Sequence, residues 1–332
     1  MLFSQKNASI AQGINKQLER LIPITTPTAV IMGFFFPDIF INLRPFVILL
    51  FGIMTFSGAL KLKAAEMGNA IKNPLPIIMF FIFSHVIMPL AAIFSSSIVF
   101  SDADIVTGFV LLFAGPTAVS GFFWILIFKG DKALGLALIL LDTILAPLVV
   151  PGTLSILLGK TVTMDTSGMA ISLMLMVVVP TIIGISVNEI SKGKAPAVIS
   201  PYLDTFSKIC LFLVIAANAS PVAPKIQLNN PLVWQTVIVC VLMIIFGFAL
   251  IYAIVLLINC KGSKGISLII GGGLRNNSAT MTLAVNFFPE HVALPIIMSL
   301  ITQQTIAAFA GKLITRKFFN KKIAESEQTD PK

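Results

Sequence analysis

Runs of about 20 apolar residues, separated by short polar segments, recur along almost all of this 332-residue chain. A helix of that length crosses a hydrocarbon core of about 30 Å, and a helix satisfies its own backbone hydrogen bonds in lipid. Only 11% of the residues are charged, whereas a soluble domain carries about 25%. The sequence therefore predicts an all-α, polytopic membrane protein with ten transmembrane helices, at approximately 21–40, 44–62, 74–96, 104–128, 132–158, 166–190, 201–222, 232–258, 264–287 and 291–314.

The distribution of lysine and arginine predicts how these helices are oriented. Basic residues concentrate in alternate loops, which the positive-inside rule places in the cytoplasm: Lys61, Lys63, Lys72, Lys129, Lys132, Lys192, Lys194, Lys261 and Lys264. The opposite loops hold only Arg44, Lys160 and Lys225. Both the N-terminal tail (1–20) and the basic C-terminal tail (315–332) are thus predicted to be cytoplasmic, in a multi-pass protein of the bacterial cell membrane. Because the basic residues are spread over several loops, the net charge of +9 does not indicate a nucleic-acid partner.

The order of the helices predicts two repeats of five, inverted with respect to each other. The first would span 21–158; a connection and helix six (about 166–190) fill 159–200, and the rest of the second repeat spans 201–314. Helix four contains the run 115–121 (GPTAVSG), and helix nine contains the run 271–278 (GGGLRNNS). Interrupted helices at matching positions of two halves indicate the binding site of a secondary transporter. The alternative is that these glycines and the proline serve close helix packing.

Arg275 lies inside the second of these interruptions, and Asp142 is the other clear charge within the bilayer. A guanidinium at that depth costs at least about 2.5 kcal/mol, so it normally faces a partner or a ligand pathway. The helical rise places Pro116, Asp142 and Arg275 roughly 15 to 18 Å deep, near the midplane. Asp142 is then a proton carrier, a counter-charge that an anionic substrate displaces, or half of a permanent structural bridge with Arg275.

Polar groups near the two breaks are the candidate site residues. Helix N-termini around Ser120 and Asn277 would direct positive dipole ends toward the midplane, which favours a carboxylate substrate beside Arg275. His85, one turn before Pro89, is a second candidate for ion coupling because histidine changes charge nearest to neutral pH; its alternative is a structural hydrogen bond. The predicted substrate-binding residues are Arg275, Asn276, Asn277, Ser278, Thr117, Ser120, Gln303 and Gln304, and the predicted ion-coupling residues are Asp142 and His85. The two glutamines could equally bridge helices.

Several of these motifs resemble the bile acid:sodium symporter family. They are the two interrupted helices, the Gly-Leu-Arg-Asn-Asn-Ser motif at 273–278, the Ala-Pro-Leu-Val-Val-Pro ending at 146–151 and the Met-Pro step at 88–89. The likeness extends from about 21 to 314. It implies a core domain and a panel domain that move relative to each other and carry organic anions, such as bile acids, pantoate-like acids or keto acids, with sodium.

The chain departs from the family pattern at the positions that the resemblance assigns to sodium ligands. Where the family has Glu-x-Gly-x-Gln-Asn-Ser, residues 271–277 read Gly-Gly-Gly-Leu-Arg-Asn-Asn, so that an acidic ligand becomes Gly271 and a glutamine becomes Arg275. The hydroxyl ligands of helix five become Gly135 and Ile139, and the Ser-Asn pair of helix four maps onto Ser120-Gly121 or Gly121-Phe122. Because sodium, like calcium, needs several oxygen ligands, we assign no metal ligand and expect that transport does not require sodium.

Other classes of function fit the sequence less well. The chain has no HExxH or GxSxG motif and a single clear midplane carboxylate, which argues against an intramembrane enzyme. A channel or uniporter for small anions is the main alternative, because interrupted helices also build pores. The sequence favours a secondary transporter of a small organic anion that works by alternating access without an organic cofactor. Its coupling ion, H⁺ or Na⁺, is left open.

Overall fold

A computed structural model describes residues 25, 27–63, 72–119, 121–159, 164–221 and 229–328, with side chains described as far as 318. The regular structure within these ranges is helical, apart from a single isolated backbone bridge between Thr117 and Arg275. The predicted N-terminal tail, 1–20, lies outside the described residues.

Twelve helical segments follow one another along the described chain. We number them α1 (27–35), α2 (Pro37–Ala59, with a 3₁₀ portion Ile41–Phe46), α3 (Pro74–Val99), α4 (Ala103–Ala114), α5 (Gly121–Ile127), α6 (Lys132–Leu158), α7 (Thr166–Ile190), α8 (Lys194–Ala219), α9 (Pro231–Leu257), α10 (Gly262–Gly273), α11 (Asn277–Phe287) and α12 (Ala293–Gln328, after a 3₁₀ turn Glu290–Val292).

The lengths of these helices agree with a protein that crosses a membrane several times. Among the described residues, seven helices are long and apolar enough to do so, namely α2, α3, α6, α7, α8, α9 and the run Glu290–Phe318. Large apolar side chains cover the outside of the bundle, where Ile156 and Leu257 are 85% and 83% exposed. Such a surface suits lipid rather than water. The ten-helix inverted repeat and the repeat boundaries remain predictions.

Two predicted helices are interrupted in the structure, each at the run of glycine and polar residues. Predicted helix four is α4 and α5, separated at 115–120, and predicted helix nine is α10 and α11, separated at 274–276. Asp102, Asp131 and Asn276 each accept a hydrogen bond from a backbone N–H in the first turn of α4, α6 and α11, as N-cap residues do.

Three predicted helix boundaries were wrong. The first two helices separate at Phe36 rather than at 41–43, because Pro37 starts a new helix there and the Arg44 segment continues it as a 3₁₀ helix. Helix seven begins at Lys194, after the left-handed Gly193, and includes Pro201 instead of starting there. The last helix does not end at 314 but runs to Gln328, because 312–328 contains no glycine or proline to stop it.

The helices pack as two groups. In one, α2 packs against both α7 and α8. In the other, α3 packs against α4, α9 packs against α10 and α12, and α6 packs against α10. Contacts of α6 with α7, and of α11 with α7 and α8, join the groups. Both interrupted helices belong to the second group.

Candidate functional site

The two helix interruptions cross each other and are joined through their backbones. The Asn276 N–H donates to the Pro116 carbonyl over 2.8 Å, and the Ala118 N–H donates to the Leu274 carbonyl over 3.4 Å. Thr117 and Arg275 face each other as an antiparallel bridge. A buried helix break leaves peptide groups without helical partners, and here each break supplies partners for the other. We refer to residues 115–118 and 274–277 as the crossing.

Glycine allows the first break to approach α11 closely. A Cβ atom added to Gly115 would overlap the Thr280 side chain, whose hydroxyl bonds to the carbonyls of Asn276 and Asn277. The Thr117 hydroxyl donates to the Gly271 carbonyl over 3.1 Å, at the free end of α10. The side chains of this region therefore satisfy backbone carbonyls that the breaks leave exposed.

Asp142, on α6, connects the crossing with α3. It is fully buried; one carboxylate oxygen accepts the backbone N–H of Thr117 over 2.6 Å, and the other lies 2.6 Å from His85 Nε2. Asp142 and His85 are the two predicted ion-coupling residues, and the structure brings them into direct contact. Through Asp142, a change at His85 would reach the backbone of the first break.

His85 is held by a local distortion of α3. The helix widens to a π-helix over Phe83–Ile87, immediately before Pro89, whose ring cannot donate a backbone hydrogen bond. The Phe81 ring stacks on the imidazole at 5.6 Å between centroids. His85 Nδ1 is buried and has no hydrogen-bond partner among the described residues. The alternative role of His85, a purely structural hydrogen bond, therefore accounts for Nε2 but not for Nδ1.

Two residues of α12 fix the second break from the other side. The Gln303 side-chain amide donates to the Arg275 carbonyl over 2.9 Å, and its oxygen accepts the Arg275 N–H over 3.2 Å. Ser299, one helical turn earlier, accepts the side-chain amide of Asn277 over 2.8 Å. Gln303 thus positions the break through backbone contacts. Ser299 is not among the predicted substrate-binding residues. Its spacing of four residues from Gln303, which places both side chains on one helix face, is the signal that could have indicated it.

Arg275 provides unsatisfied hydrogen-bond donors at the crossing. Its side chain is almost fully buried, and within the described chain neither Nη1 nor Nη2 has a hydrogen-bond partner. The carboxylate of Asp142 acts on it electrostatically but is hydrogen-bonded to His85 and Thr117 instead. A permanent, hydrogen-bonded Asp142–Arg275 bridge, one of the sequence-based alternatives, is therefore absent from this part of the structure.

The remaining predicted residues occupy different places. Asn276 is the N-cap of α11, and Asn277 has a buried Oδ1 without a partner in the described chain. Ser278 is half-buried in the first turn of α11. Gln304 accepts the indole N–H of Trp124 over 2.9 Å, on α5, away from the backbone of Arg275. Ser120 lies outside the described residues, and we assign no dipole effect to α5, which has only seven residues.

Contacts between the two helix groups lie on both sides of the crossing. At the end predicted to be cytoplasmic, Ala59 and Leu62 pack with Leu136 and Leu140 of α6. The Leu62 carbonyl there accepts the side-chain amide of Asn188 over 2.9 Å. Toward the other end, a buried hydrogen bond of 2.9 Å joins Asn218 of α8 to Thr282 of α11. These contacts lie on either side of the crossing.

Comparison with known proteins agrees with this architecture. The Sodium Bile acid symporter family model matches residues 47–229, more than half of the chain. The uncharacterized protein YbaS of Bacillus subtilis is 36% identical over 89% of this chain and 97% of its own length. The uncharacterized sodium-dependent transporter YocS of the same organism is 24% identical over 80% of this chain and 81% of its own.

A plant relative extends the comparison. The probable sodium/metabolite cotransporter BASS2, chloroplastic, of Oryza sativa is 23% identical over 94% of this chain and 73% of its own length. The shared family is one of transporters and not of enzymes. The apolar helices identify a multi-pass membrane protein. The chain belongs to the sodium bile acid symporter family of membrane transporters.

Proposed function

We propose that this protein is a secondary active transporter of a small organic anion carrying a carboxylate. The anion binds at the crossing, between the Arg275 guanidinium and the N-terminus of α11. It moves by alternating access across the bacterial cell membrane, with both termini in the cytoplasm. The two five-helix halves form an inverted repeat, as the resemblance implies.

One observation carries the proposal: the buried guanidinium at the crossing has two terminal nitrogens without a hydrogen-bond partner among the described residues. Removing an arginine from water is costly unless a partner compensates it. A carboxylate would accept two parallel hydrogen bonds from Nη1 and Nη2, which is the strongest arrangement for this pair. The N-terminus of α11, which starts at Asn277 beside the crossing, adds a favourable dipole for an anion.

The same arginine argues for a driving ion other than sodium. The relatives YocS and BASS2 are named as sodium-dependent or sodium cotransporters. In this chain, however, the resemblance places Gly271 and Arg275 where acidic and amide ligands stand in the family. A fixed guanidinium repels a nearby cation, so the positive charge that sodium brings elsewhere is here part of the protein. We therefore propose that protons, bound through Asp142 and His85, replace sodium.

The movement follows from the two helix groups. The group of α2, α7 and α8 contacts the group containing the crossing mainly through α6 and α11. Separating Ala59 and Leu62 from Leu136 and Leu140 would open the site toward the cytoplasm. Separating Asn218 from Thr282 would open it toward the outside. Opening one set of contacts at a time gives a carrier rather than a pore.

The experiment is uptake by proteoliposomes containing the purified, full-length protein. Radiolabelled pyruvate, lactate, 2-oxoisovalerate and cholate serve as probes, under an imposed pH gradient or an imposed sodium gradient. We expect accumulation of at least one carboxylate under a pH gradient, acidic outside, and no acceleration by sodium. Preloaded unlabelled substrate should stimulate uptake of label by counterflow, which a channel does not produce.

Two variants relate the result to the site. Arg275→Gln should abolish specific uptake, whereas Arg316→Gln, which alters an exposed arginine on α12, should retain it. Sodium-driven uptake that survives Arg275→Gln would overturn both the site and the proposed driving ion. Label that equilibrates without counterflow would favour a channel, and label that shows counterflow but does not accumulate under either gradient would favour a uniporter.

A further inference from the structure

Three buried ionisable side chains meet at the crossing, and their charges limit what can bind there. Arg275, Asp142 and His85 are each at most 8% exposed. With His85 neutral, the positive Arg275 and the negative Asp142 cancel. A monocarboxylate that binds Arg275 would then leave one uncompensated negative charge in a closed, apolar surrounding, which is strongly unfavourable.

One atom of His85, Nδ1, could bind a proton that compensates this negative charge. Nε2 lies 2.6 Å from Asp142, so while His85 is neutral its one ring proton occupies this contact. Nδ1 is buried and unpartnered among the described residues, and it is the remaining position at which the imidazole can accept a proton. A proton taken from water onto Nδ1 makes an imidazolium without breaking the contact with Asp142.

The neighbourhood of His85 contains few other groups that could take this role. The elements packed against the π-helical turn are the flanking parts of α3, together with α4 and α6, and the Phe83 ring of the turn also lies against Gly272 of α10. In α3 there is no other ionisable side chain, while Asp104, Lys132 and Lys264 lie in the first turns of α4, α6 and α10, away from the crossing. Asp142 is thus the charged group that contacts His85, and Arg275 is the charged side chain of the crossing itself.

The proton would also act on the backbone of the break. The Asp142 oxygen that is not in contact with His85 holds the Thr117 N–H, and Thr117 is bridged to Arg275. A continuous set of contacts therefore joins the proton-binding imidazole to the anion-binding residue. Binding of either ion changes the electrostatic energy of the other, and by linkage the effect is reciprocal.

From this charge balance, and resting on the proposed function, we infer that the transporter is an electroneutral symporter of one proton with one monocarboxylate. His85 Nδ1 carries the proton, and the Asp142 carboxylate holds the imidazole in place. The ligand class is thereby narrowed to anions with a single negative charge. When a fully ionised dicarboxylate binds, one negative charge in the buried site stays uncompensated, so we expect that such an anion is not transported.

The test uses the monocarboxylate from the uptake panel that accumulates fastest. Its equilibrium binding to the detergent-purified, full-length protein is measured between pH 6 and pH 9. One proton taken up per anion predicts that, on the alkaline side, Kd rises about tenfold per pH unit. In weakly buffered solution a pH indicator should report one proton absorbed per anion bound. In proteoliposomes, an imposed membrane potential should not change accumulation.

Variants test the assignment to His85. The chain has two histidines, so the exposed His291, which contacts Asp102 near the 3₁₀ turn, provides a matched control. His85→Gln retains a side-chain donor for Asp142 but cannot titrate. We expect a pH-independent Kd in this variant, close to the wild-type value at pH 9, and counterflow without acceleration by a pH gradient. His291→Gln should behave as the wild type.

The outcomes separate this inference from the proposed function. Carboxylate transport without proton uptake, or with net charge movement in the wild type, would overturn the inference and leave the proposed function standing. The same holds if His85→Gln retains the wild-type pH dependence. If none of the panel is bound or transported, the proposed function fails, and the inference fails with it. Should His85→Gln not fold, the wild-type stoichiometry and potential measurements decide alone.

Discussion

Replacing Gln303 by leucine tests whether its side chain holds the second helix break in shape. Gln303 makes two buried hydrogen bonds to the backbone of Arg275, at 2.9 and 3.2 Å. The Arg275 carbonyl keeps the Asn277 N–H as a second partner, but the Arg275 N–H loses its partner within the described chain. Each lost bond costs about 0.5–1.5 kcal/mol, and a buried unsatisfied donor costs about 1–3 kcal/mol. Polar contacts between membrane helices average nearer to about 0.6 kcal/mol, so we expect a total of about 1–4 kcal/mol.

The matched control is Gln304→Leu. Gln304 is half-buried and its side chain accepts a hydrogen bond from Trp124 on α5, so its replacement should cost about 1 kcal/mol or less. Thermal unfolding in detergent, followed by the fraction of monodisperse protein, should show a clearly larger loss for Gln303→Leu. Anion affinity should also fall, because Arg275 is no longer positioned. Equal stability and equal affinity in the two variants would refute the positioning role of Gln303.

Two further predictions concern the first break and the topology. Thr117→Val keeps the backbone contact with Asp142 but removes the hydroxyl that donates to the Gly271 carbonyl. We expect the free energy of unfolding, followed by thermal unfolding, to fall by about 0.5–1.5 kcal/mol. A variant as stable as the wild type would contradict this contact. Cys260, half-buried between α9 and α10, should react with a membrane-impermeant maleimide in inside-out vesicles and not in intact cells, whereas the buried Cys210 and Cys240 stay unlabelled. Burial raises the pKa of the Cys260 thiol, so the thiolate fraction and the labelling rate should increase as the pH is raised from 7 toward 9. Labelling from the outside would invert the predicted orientation.

Much of the helical framework could be predicted because lipid enforces simple rules. The bounds of α6 and α7 coincide with the predicted 132–158 and 166–190, since each apolar run has a polar stop at both ends. The interruption at 274–276 falls where the glycines and asparagines indicated it. Two of the boundaries that were wrong lie beside prolines. Pro201 is inside α8, whereas Pro37 starts α2.

The roles of the candidate site residues remain predictions, and the contacts that they make could not be predicted from the sequence. The helical rise places Asp142 and Arg275 at one depth, yet depth alone does not determine which neighbour a carboxylate contacts. In the structure the contact is with His85, because a π-helical turn in α3 presents the imidazole to Asp142. The sequence signalled this turn only through Pro89. The contact of Gln303 could not be predicted either. Its side chain bonds to the backbone of Arg275 because the second break lies against α12 at that point.

Some relatives of this chain are named as sodium-dependent transporters, whereas this chain has an arginine at the crossing. The positions of Arg275, Asp142 and His85 offer a physical reason for this difference. A positive charge at the meeting point of two broken helices favours an anion, whether a bound cation or a guanidinium supplies it. A covalently held guanidinium cannot be exchanged across the membrane, so under the proposed function the coupling ion binds elsewhere. The contact between His85 and Asp142 offers that second place.

The central claim is that the Arg275 guanidinium binds the carboxylate of the transported anion. The most direct measurement is an experimental structure of the protein with the transported monocarboxylate bound. We predict both carboxylate oxygens within about 2.7–2.9 Å of Nη1 and Nη2, with Asp142 still in contact with His85. An anion bound away from Arg275, with the guanidinium instead hydrogen-bonded to Asp142, would contradict the account.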